Sequence, residues 1–219
     1  MNRHLQSRKI HTQLFPEVME TNPGKSLPAS FFSNPDVADV SRKLLGKVIC
    51  SSVNGLFTAG IITETEAYCG RNDKACHANN GLRTKRTEVM YGDPGHAYIY
   101  LCYGIHHLLN VVTNKNGMAD AVLIRAIKPL EGLEIMKNRR KLDHTKKLAD
   151  GPGKLTQALG VTTSLNTIQL IEEPLWIENR DIQIKKSDII ASPRIGVDYA
   201  GDDANRLWRY TIEADSLQF

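Results

Sequence analysis

The alternation of apolar and polar positions divides the chain into short elements. Residues 34–46 combine Asn34, a good N-cap, with an apolar stripe at helical spacing, and this predicts a helix. Residues 47–53 and 56–68 follow as strand-like runs, and Asn54-Gly55 between them is the dipeptide most typical of a tight hairpin. The first firm elements are therefore a helix and a β-hairpin.

The rest of the chain continues in short elements. A polar stretch over residues 69–88 has no period and predicts a long loop. The further elements predicted are strands at 96–103, 107–113 and 121–126, helices at 129–141 and 151–160, and short strands that include 182–190, 195–197 and 208–212. No repeat or composition shift marks a domain boundary. The pattern therefore predicts a single α+β domain over residues 31–219, after a surface-draped or poorly ordered tail over residues 1–30.

Composition narrows the class of protein. Hydrophobic residues make up 41% and charged residues 24% of the 219 residues, which is ordinary for a globular protein and argues against disorder, collagen and coiled coil. No apolar run reaches the roughly 18 residues of a membrane-spanning helix, and the polar start lacks a secretory signal. The four cysteines form no CxxC pair, which favours reduced thiols and a cytoplasmic location. The formal net charge of +4 permits an anionic partner without demonstrating one.

Candidate chemistry first appears in the strand over residues 61–68. Period-two alternation places Ile62, Glu64, Glu66 and Tyr68 on one face. Two acids among apolar residues must meet solvent or find partners, because burying a bare carboxylate is costly. The face is therefore either a solvated sheet edge or a carboxylate held beside an aromatic ring, where it could act as a general base.

Tyrosines dominate the next strand-like run. Tyr98 and Tyr100 share a face, whereas Tyr103 stands apart beside Gly104 at the turn. Tyrosines in strands are more often half-buried packing than functional. A large aromatic at a hairpin tip needs another reason, and wedging between stacked bases is one.

An arginine inside an apolar run indicates an anionic neighbour. Arg125 lies within V-L-I-R-A-I, and such an arginine needs a carboxylate or a phosphate. Both Glu66 and a nucleic-acid phosphate are candidates. The histidines at 96, 106 and 107 have no carboxylate or cysteine at ligand spacing, so no metal site is predicted.

A succession of short motifs carries a family resemblance over nearly the whole chain, from about Phe31 to Ile212. The motifs are T-E-T-E-A-Y (63–68), D-K-A-C-H-A (73–78), R-T-K-R-T-E-V-M-Y (83–91), G-H-A-Y-I-Y-L-C-Y-G (95–104), L-N-V-V-T (109–113), V-L-I-R-A (122–126), K-P-L-E-G-L-E (128–134), G-P-G-K-L (151–155) and R-I-G-V (194–197). Each piece alone is weak. In this order and spacing, the chain resembles the alkyladenine, or 3-methyladenine, DNA glycosylase family.

The resemblance implies a fold and an activity. The fold would be one domain on a curved, mostly antiparallel sheet with surrounding helices and a protruding β-hairpin. The enzyme would act as a monomer on double-stranded DNA, without cofactor, membrane or obligate protein partner. It would remove 3-methyladenine, 7-methylguanine, hypoxanthine or ethenoadenine and leave an abasic site without cutting the strand. The enzyme would be cytoplasmic, and it would be associated with the nucleoid in a bacterium or located in the nucleus in a eukaryote.

The resemblance also implies roles for individual residues. The general base falls on Glu66 and the water-positioning arginine on Arg125. The pocket for the extruded base falls on Tyr68, His77 and Tyr100, with Asn110 screening against the guanine amino group and the carbonyl of Ile195 helping to hold water. The intercalating residue falls on Tyr103. Contacts to the DNA backbone fall on Thr84, Arg86, Lys154 and Gly196.

The chain departs from the family pattern at two positions outside the pocket. Lys85 stands where proline is usual, which puts the rigidity of that loop in doubt, and Thr163 replaces a phosphate-contacting lysine of some members. Two other functions stay open: a binding module that has lost its chemistry, and a small-molecule hydrolase or transferase that uses Glu66. The second predicts no DNA affinity and no steep loss of binding with salt.

Overall fold

A computed structural model describes residues 24–213 of the chain. Helices span Ala29–Phe32 (α1), Val37–Leu44 (α2), Leu133–Arg140 (α3) and Pro152–Leu159 (α4). Strands span Lys25–Ser26 (β1), Val48–Val53 (β2), Leu56–Tyr68 (β3), Ala97–Cys102 (β4), His106–Thr113 (β5), Asp120–Glu131 (β6), Ile171–Glu172 (β7), Leu175–Asn179 (β8), Ile190–Ser192 (β9) and Arg209–Thr211 (β10). Short 3₁₀ turns span Asn79–Gly81, Glu88–Tyr91, Thr163–Leu165, Lys186–Asp188 and Asp198–Asn205.

All strand pairs of the sheet are antiparallel. The main order is β1-β8-β2-β3-β6-β5-β4, and β10 joins β3 to β9. The hairpin of β4 and β5 forms one end of this order. The fold is therefore a single α+β domain on a curled antiparallel sheet, as the sequence predicted.

The hairpin of β2 and β3 has the geometry that its turn residues require. Asn54 and Gly55 both have positive φ, 57° and 71°, which is the condition for the tight turn whose twist matches the strands. The two strands pair without interruption from Val53↔Leu56 to Val48↔Ile61. This prediction from the sequence is confirmed.

Alternate residues of β4, β5 and β6 face two different environments. Ile99, Val111 and Val122 belong to the main hydrophobic core, which also takes in side chains of α2 and α4. Their neighbours Tyr98 and Val112 belong instead to a smaller cluster beneath the loop that follows β3. The sheet therefore has the main core on one face and leaves the other face for a site.

The tail prediction lies largely outside the described residues. Residues 1–23 and 214–219 are not described, so the prediction for them remains an expectation. Within residues 24–30, β1 pairs with β8 through Lys25↔Asn179, and the amide of Leu27 donates to the carbonyl of Ile177. Division of the chain into tail and domain stays a prediction.

The first predicted helix starts two residues later than expected. Asp36, not Asn34, is the N-cap, because its carboxylate accepts a hydrogen bond of 3.1 Å from the amide of Asp39. Asn34 accepts from the Asp36 amide and so precedes the cap. Pro35 therefore lies before the helix and not at its first helical position.

The helix predicted over 129–141 was too long at its start. Pro129 to Glu131 continue β6, where Gly60 faces Pro129 and Ala59 faces Glu131. Gly132 then reverses the chain with φ 73°, and a Cβ there would lie 2.4 Å from the carbonyl oxygen of Phe57. Cross-strand pairing thus overrides the local helical pattern up to this glycine.

Two short strands predicted near the end of the chain were wrong. Residues 182–189 contain no strand, only a 3₁₀ turn at Lys186–Asp188, and Ile190–Ser192 is the strand that pairs with β10. Ile195 to Val197 form a loop that leads into the 3₁₀ turn Asp198–Asn205. Among residues 24–213, no helix is long and apolar enough to cross a membrane.

Candidate active site

A cavity of about 390 Å³ opens on the face of the sheet away from the main core. It lies between strands β4, β5 and β6, the loop after β3 and the loop before Asp198–Asn205. Its walls include all five predicted base-pocket residues and the predicted water-positioning arginine: Tyr68, His77, Tyr100, Asn110, Ile195 and Arg125. Residues from six separate chain segments therefore converge on one space.

Glu66 lies directly behind the wall of this cavity. Its side chain is fully buried, and three donors fix the carboxylate. Tyr68 donates through its hydroxyl to Oε2 at 2.7 Å, the amide of Ile195 donates to Oε1 at 2.8 Å, and the guanidinium of Arg125 lies 3.3 Å from Oε2. Because a carboxylate has about four acceptor positions, these described donors leave one acceptor position without a described partner.

The solvated-edge interpretation of this strand is wrong for Glu64 and Glu66. Arg125 donates to Glu64 at 2.8 Å, and Arg209 of β10 donates to the same oxygen at 2.5 Å. Arg125 thus contacts both acids of the strand, which gives the anionic partners that its apolar surroundings required. The fourth residue predicted on this face, Ile62, packs in the main core instead, and the register with β6 shifts between Ile62 and Glu64.

Aromatic rings line the cavity beside Glu66. The rings of His77 and Tyr100 meet edge to face with centroids 4.8 Å apart, and those of Tyr98 and Tyr100 lie 5.4 Å apart. Tyr68 is bound to Glu66 through its hydroxyl, and burial followed by the charge of Glu66 raises its pKa well above the ordinary value. Tyr68 therefore remains protonated and keeps donating.

His77 is held as a neutral ring. Burial, and next the positive charge of Arg86, lower its pKa from 6.5 to about 4. Its Nδ1 lies 2.8 Å from the hydroxyl of Tyr98, and its Nε2 lies 3.1 Å from a guanidinium nitrogen of Arg86. The same guanidinium nitrogen lies 3.4 Å from Nδ1. Since arginine can only donate, the ring nitrogen that accepts from it carries no hydrogen. A ring that is neutral at pH 7 does not serve as a ready acid there.

Tyr103 occupies the tip of the β4–β5 hairpin. Its side chain is 92% exposed, and its backbone has φ 50°, a left-handed conformation uncommon for a residue other than glycine. Ile105 at the same tip is also exposed. The tip thus presents apolar surface to solvent beside the cavity mouth, as the sequence predicted for Tyr103.

Asn110, Ile195 and Gly196 complete the cavity wall. Asn110 is buried, and its amide group donates to the carbonyl of Tyr98 at 3.0 Å. The structure gives Ile195 a contact that the sequence did not predict, since its amide donates to Glu66, whereas the prediction concerned its carbonyl. Gly196 lies at the rim with φ 73° and open space where a side chain would be.

Two other predicted DNA contacts, Thr84 and Lys154, are not among the residues that line the cavity. The amide of Thr84 donates to the hydroxyl of Thr87, and Lys154 at the start of α4 pairs with Asp150 at 2.7 Å. The two departures from the family pattern meet in space, because Lys85 and Thr163 line one shallow cleft beside Tyr100. Their contacts to DNA stay predictions.

One buried ion pair under the site was missed from the sequence. Arg194 forms a two-pronged pair with Asp73, at 2.5 and 2.7 Å, and both side chains are buried. The Arg194 guanidinium also donates to the carbonyls of Ala67 and Asp203 and lies 4.8 Å from the centre of the Tyr68 ring. Both residues stand in the motifs quoted above, but their separation of 121 positions hid the pairing.

Among the described residues, no group of three or more histidines, cysteines and acids could hold a metal ion. The chemistry available at the cavity is that of an ionised acid, an arginine and a set of aromatic rings. Such a set can hold a flat aromatic ring and activate a water for attack on a bond beside that ring.

Comparison with known proteins identifies the family of this chain. Residues 30–216 match the family model of methylpurine-DNA glycosylase. The chain belongs to the methylpurine-DNA glycosylase family. It is therefore a DNA glycosylase, an enzyme of DNA repair, and the family resemblance seen in the motifs is confirmed.

Relatives from distant organisms agree over most of their length. A protein of Methanocella arvoryzae is 48% identical over 186 residues, 84% of this chain and 90% of its own. Proteins of Chlamydia felis and Bacillus mycoides are each 45% identical, over 85% of this chain and 95% of their own. All three are named for 3-methyladenine DNA glycosylase activity. The roles of individual residues are not part of these comparisons and stay predictions.

Proposed function

We propose that this glycosylase flips alkylated or deaminated purines out of duplex DNA and hydrolyses their N-glycosidic bond with a water activated by Glu66. The observation that carries the proposal is the burial of the Glu66 carboxylate behind the aromatic cavity, where Tyr68, Arg125 and the Ile195 amide fix it. The fourth acceptor position of the carboxylate is where the water would bind.

A nucleotide must be flipped out of the DNA helix for its base to enter the cavity. C1′ of a stacked nucleotide is out of reach of a buried acid, so the nucleotide must leave the stack at a cost of a few kcal/mol. Tyr103 at the exposed hairpin tip would fill the gap. Stacking on Tyr68, His77 and Tyr100 returns about 1–3 kcal/mol per aromatic contact, and a cationic purine gains further from the electron-rich rings.

Glu66 would promote cleavage of the N-glycosidic bond in two ways. It accepts the proton of the water that attacks C1′, a role that typically contributes about 10²–10⁴-fold. Its negative charge also favours the positive sugar of the transition state. Arg125 supports both, since it contacts Glu66 and Glu64 and holds the pair of acids in place. The products are the free base and an abasic site.

A release assay tests the proposal on its substrates. The full chain is incubated with matched duplexes that carry a single 3-methyladenine, 7-methylguanine, hypoxanthine or ethenoadenine, and the liberated base is quantified. We expect release from at least one alkylated duplex and none from the undamaged duplex. Binding without release from any of them would favour the non-catalytic module, and the absence of both would favour the small-molecule hydrolase or transferase.

A further inference from the structure

The side chain of Arg86 lies in the cavity that the proposed function assigns to the base. Its guanidinium carbon is 4.7 Å from the centre of the Tyr100 ring, and one of its nitrogens is 3.1 Å from Nε2 of His77. A guanidinium is planar and cationic, and an alkylated purine is often planar and cationic as well. Arg86 therefore occupies a binding position suited to the substrate.

The guanidinium also contacts two further neutral groups, Nδ1 of His77 at 3.4 Å and the hydroxyl of Tyr98. Arg86 forms no ion pair with a carboxylate among residues 24–213, whereas its neighbour Arg83 is paired with Glu88. A cation over a ring at an exposed position is worth about 0.5–1 kcal/mol. A phosphate offers arginine a stronger, two-pronged bond, so the contacts with Tyr100 and His77 are weak enough to be exchanged for it.

The Arg86 side chain would move only a short distance in such an exchange. It lines both the main cavity and the shallow cleft on the other side of Tyr100, where Lys85 and Thr163 also lie. Lys85 is exposed at the surface. This cleft is the basic surface adjacent to the cavity, and a DNA phosphate there would be within reach of the Arg86 side chain by rotation alone.

We infer that Arg86 is a specificity-determining residue with two positions: on Tyr100 and His77 when no DNA is bound, and on a DNA phosphate in the complex. This rests on the proposed function, because it takes the cavity to be the base pocket. The first position makes any free base compete with the guanidinium. When Arg86 binds a DNA phosphate, it leaves the rings of Tyr100 and His77 free for the base of that DNA. After cleavage, the return of Arg86 to these rings favours dissociation of the released base.

Binding of a free base in the absence of DNA tests the inference. Free 3-methyladenine is titrated into the wild type, Arg86→Ala and the control Lys85→Ala, which removes a neighbouring cation that has no ring contact. We expect Arg86→Ala to bind the base about 2- to 5-fold more tightly, with no change for Lys85→Ala. Both variants should bind abasic-site duplex more weakly, with the slope of log affinity against log salt reduced by about one.

Several outcomes would overturn the inference. They are unchanged or weaker base binding by Arg86→Ala, the same gain for Lys85→Ala, and no base binding by any of the three proteins. A second readout is the NMR titration of His77, whose pKa should rise in Arg86→Ala because a nearby positive charge is removed. Failure of the wild type to release bases from DNA would instead contradict the proposed function, and the base titration would still report on Arg86.

Discussion

The hydroxyl of Tyr68 donates a 2.7 Å hydrogen bond to the carboxylate of Glu66, two positions earlier on the same strand. The pair shares the cavity face of β3, and Arg125 of the neighbouring strand contacts the same carboxylate oxygen. A buried acid held from several sides cannot turn away from the cavity without losing these bonds. One strand thus supplies both the ring and the acid that the proposed function requires.

Tyr103 at the hairpin tip should matter for capture more than for chemistry. Tyr103→Ser removes the exposed ring but no packing, because the side chain is 92% exposed. We expect weaker binding to lesion-containing duplex and, once saturated, a single-turnover rate close to that of the wild type. Tyr103→Phe keeps the ring and serves as the control. Equal binding by Tyr103→Ser and the wild type would contradict the insertion of Tyr103 into the base stack.

The buried pair of Asp73 and Arg194 should be essential for the stability of the site. Asp73→Asn leaves the Arg194 guanidinium without its buried anionic partner, and breaking such a pair costs about 3–5 kcal/mol. Urea unfolding should show this loss in the free energy of unfolding. Glu88→Gln breaks the exposed pair with Arg83 and is the control, with stability near the wild type. Equal stability of Asp73→Asn and the wild type would contradict the role of the pair.

The lowered pKa of His77 predicts a pH dependence of stability. The folded value of about 4 lies below the unfolded value of about 6.5, so the unfolded chain binds the extra proton between the two. The contribution is full above pH 6.5 and is lost as the pH falls towards 4. Between pH 7.5 and 4.5 it amounts to at most about 2–3 kcal/mol.

Urea unfolding at these two pH values checks the assignment to His77. The variant His77→Asn lacks the titrating ring while the other titratable groups remain, so it should lose less stability between the two conditions than the wild type. If both proteins lose the same free energy of unfolding, the titration of His77 is not coupled to folding in this way.

The composition of the cavity predicts an enzyme without lyase activity. None of the described residues that line it is a lysine, so no amine is placed to attack C1′. Borohydride added during turnover should trap no covalent complex with DNA, and the product strand should break only after hot alkali. Formation of a trapped adduct would require an amine nucleophile in the site.

Local patterns predicted part of the fold and part of the site. The Asn54-Gly55 hairpin and the common face of Glu66 and Tyr68 follow from turn chemistry and period-two alternation, which operate within a few residues. Arg125 indicated an anionic partner because an arginine in an apolar run needs one. The identity of that partner was only half predicted, since Glu64 joins Glu66 in the structure.

Long-range pairing explains what the sequence did not predict. Pro129 continues a strand because Gly60 lies opposite it, far away in the chain. Asp73 and Arg194 are 121 positions apart in the chain, so their contact depends on the tertiary fold. The position of Arg86 on Tyr100 likewise depends on how the loop after β3 folds over β4. Such contacts have no local signal in one sequence.

We propose that Glu66 activates the water. Substitution of Glu66 by glutamine tests this role. Glu66→Gln keeps the size of the side chain and removes its charge and basicity, and Glu134→Gln, an exposed acid remote from the cavity, is the control. Single-turnover release from a lesion duplex and binding to an abasic-site duplex are measured together. We expect release to fall by about 10²-fold or more while abasic-site binding persists. Release at the wild-type rate by Glu66→Gln would contradict this role.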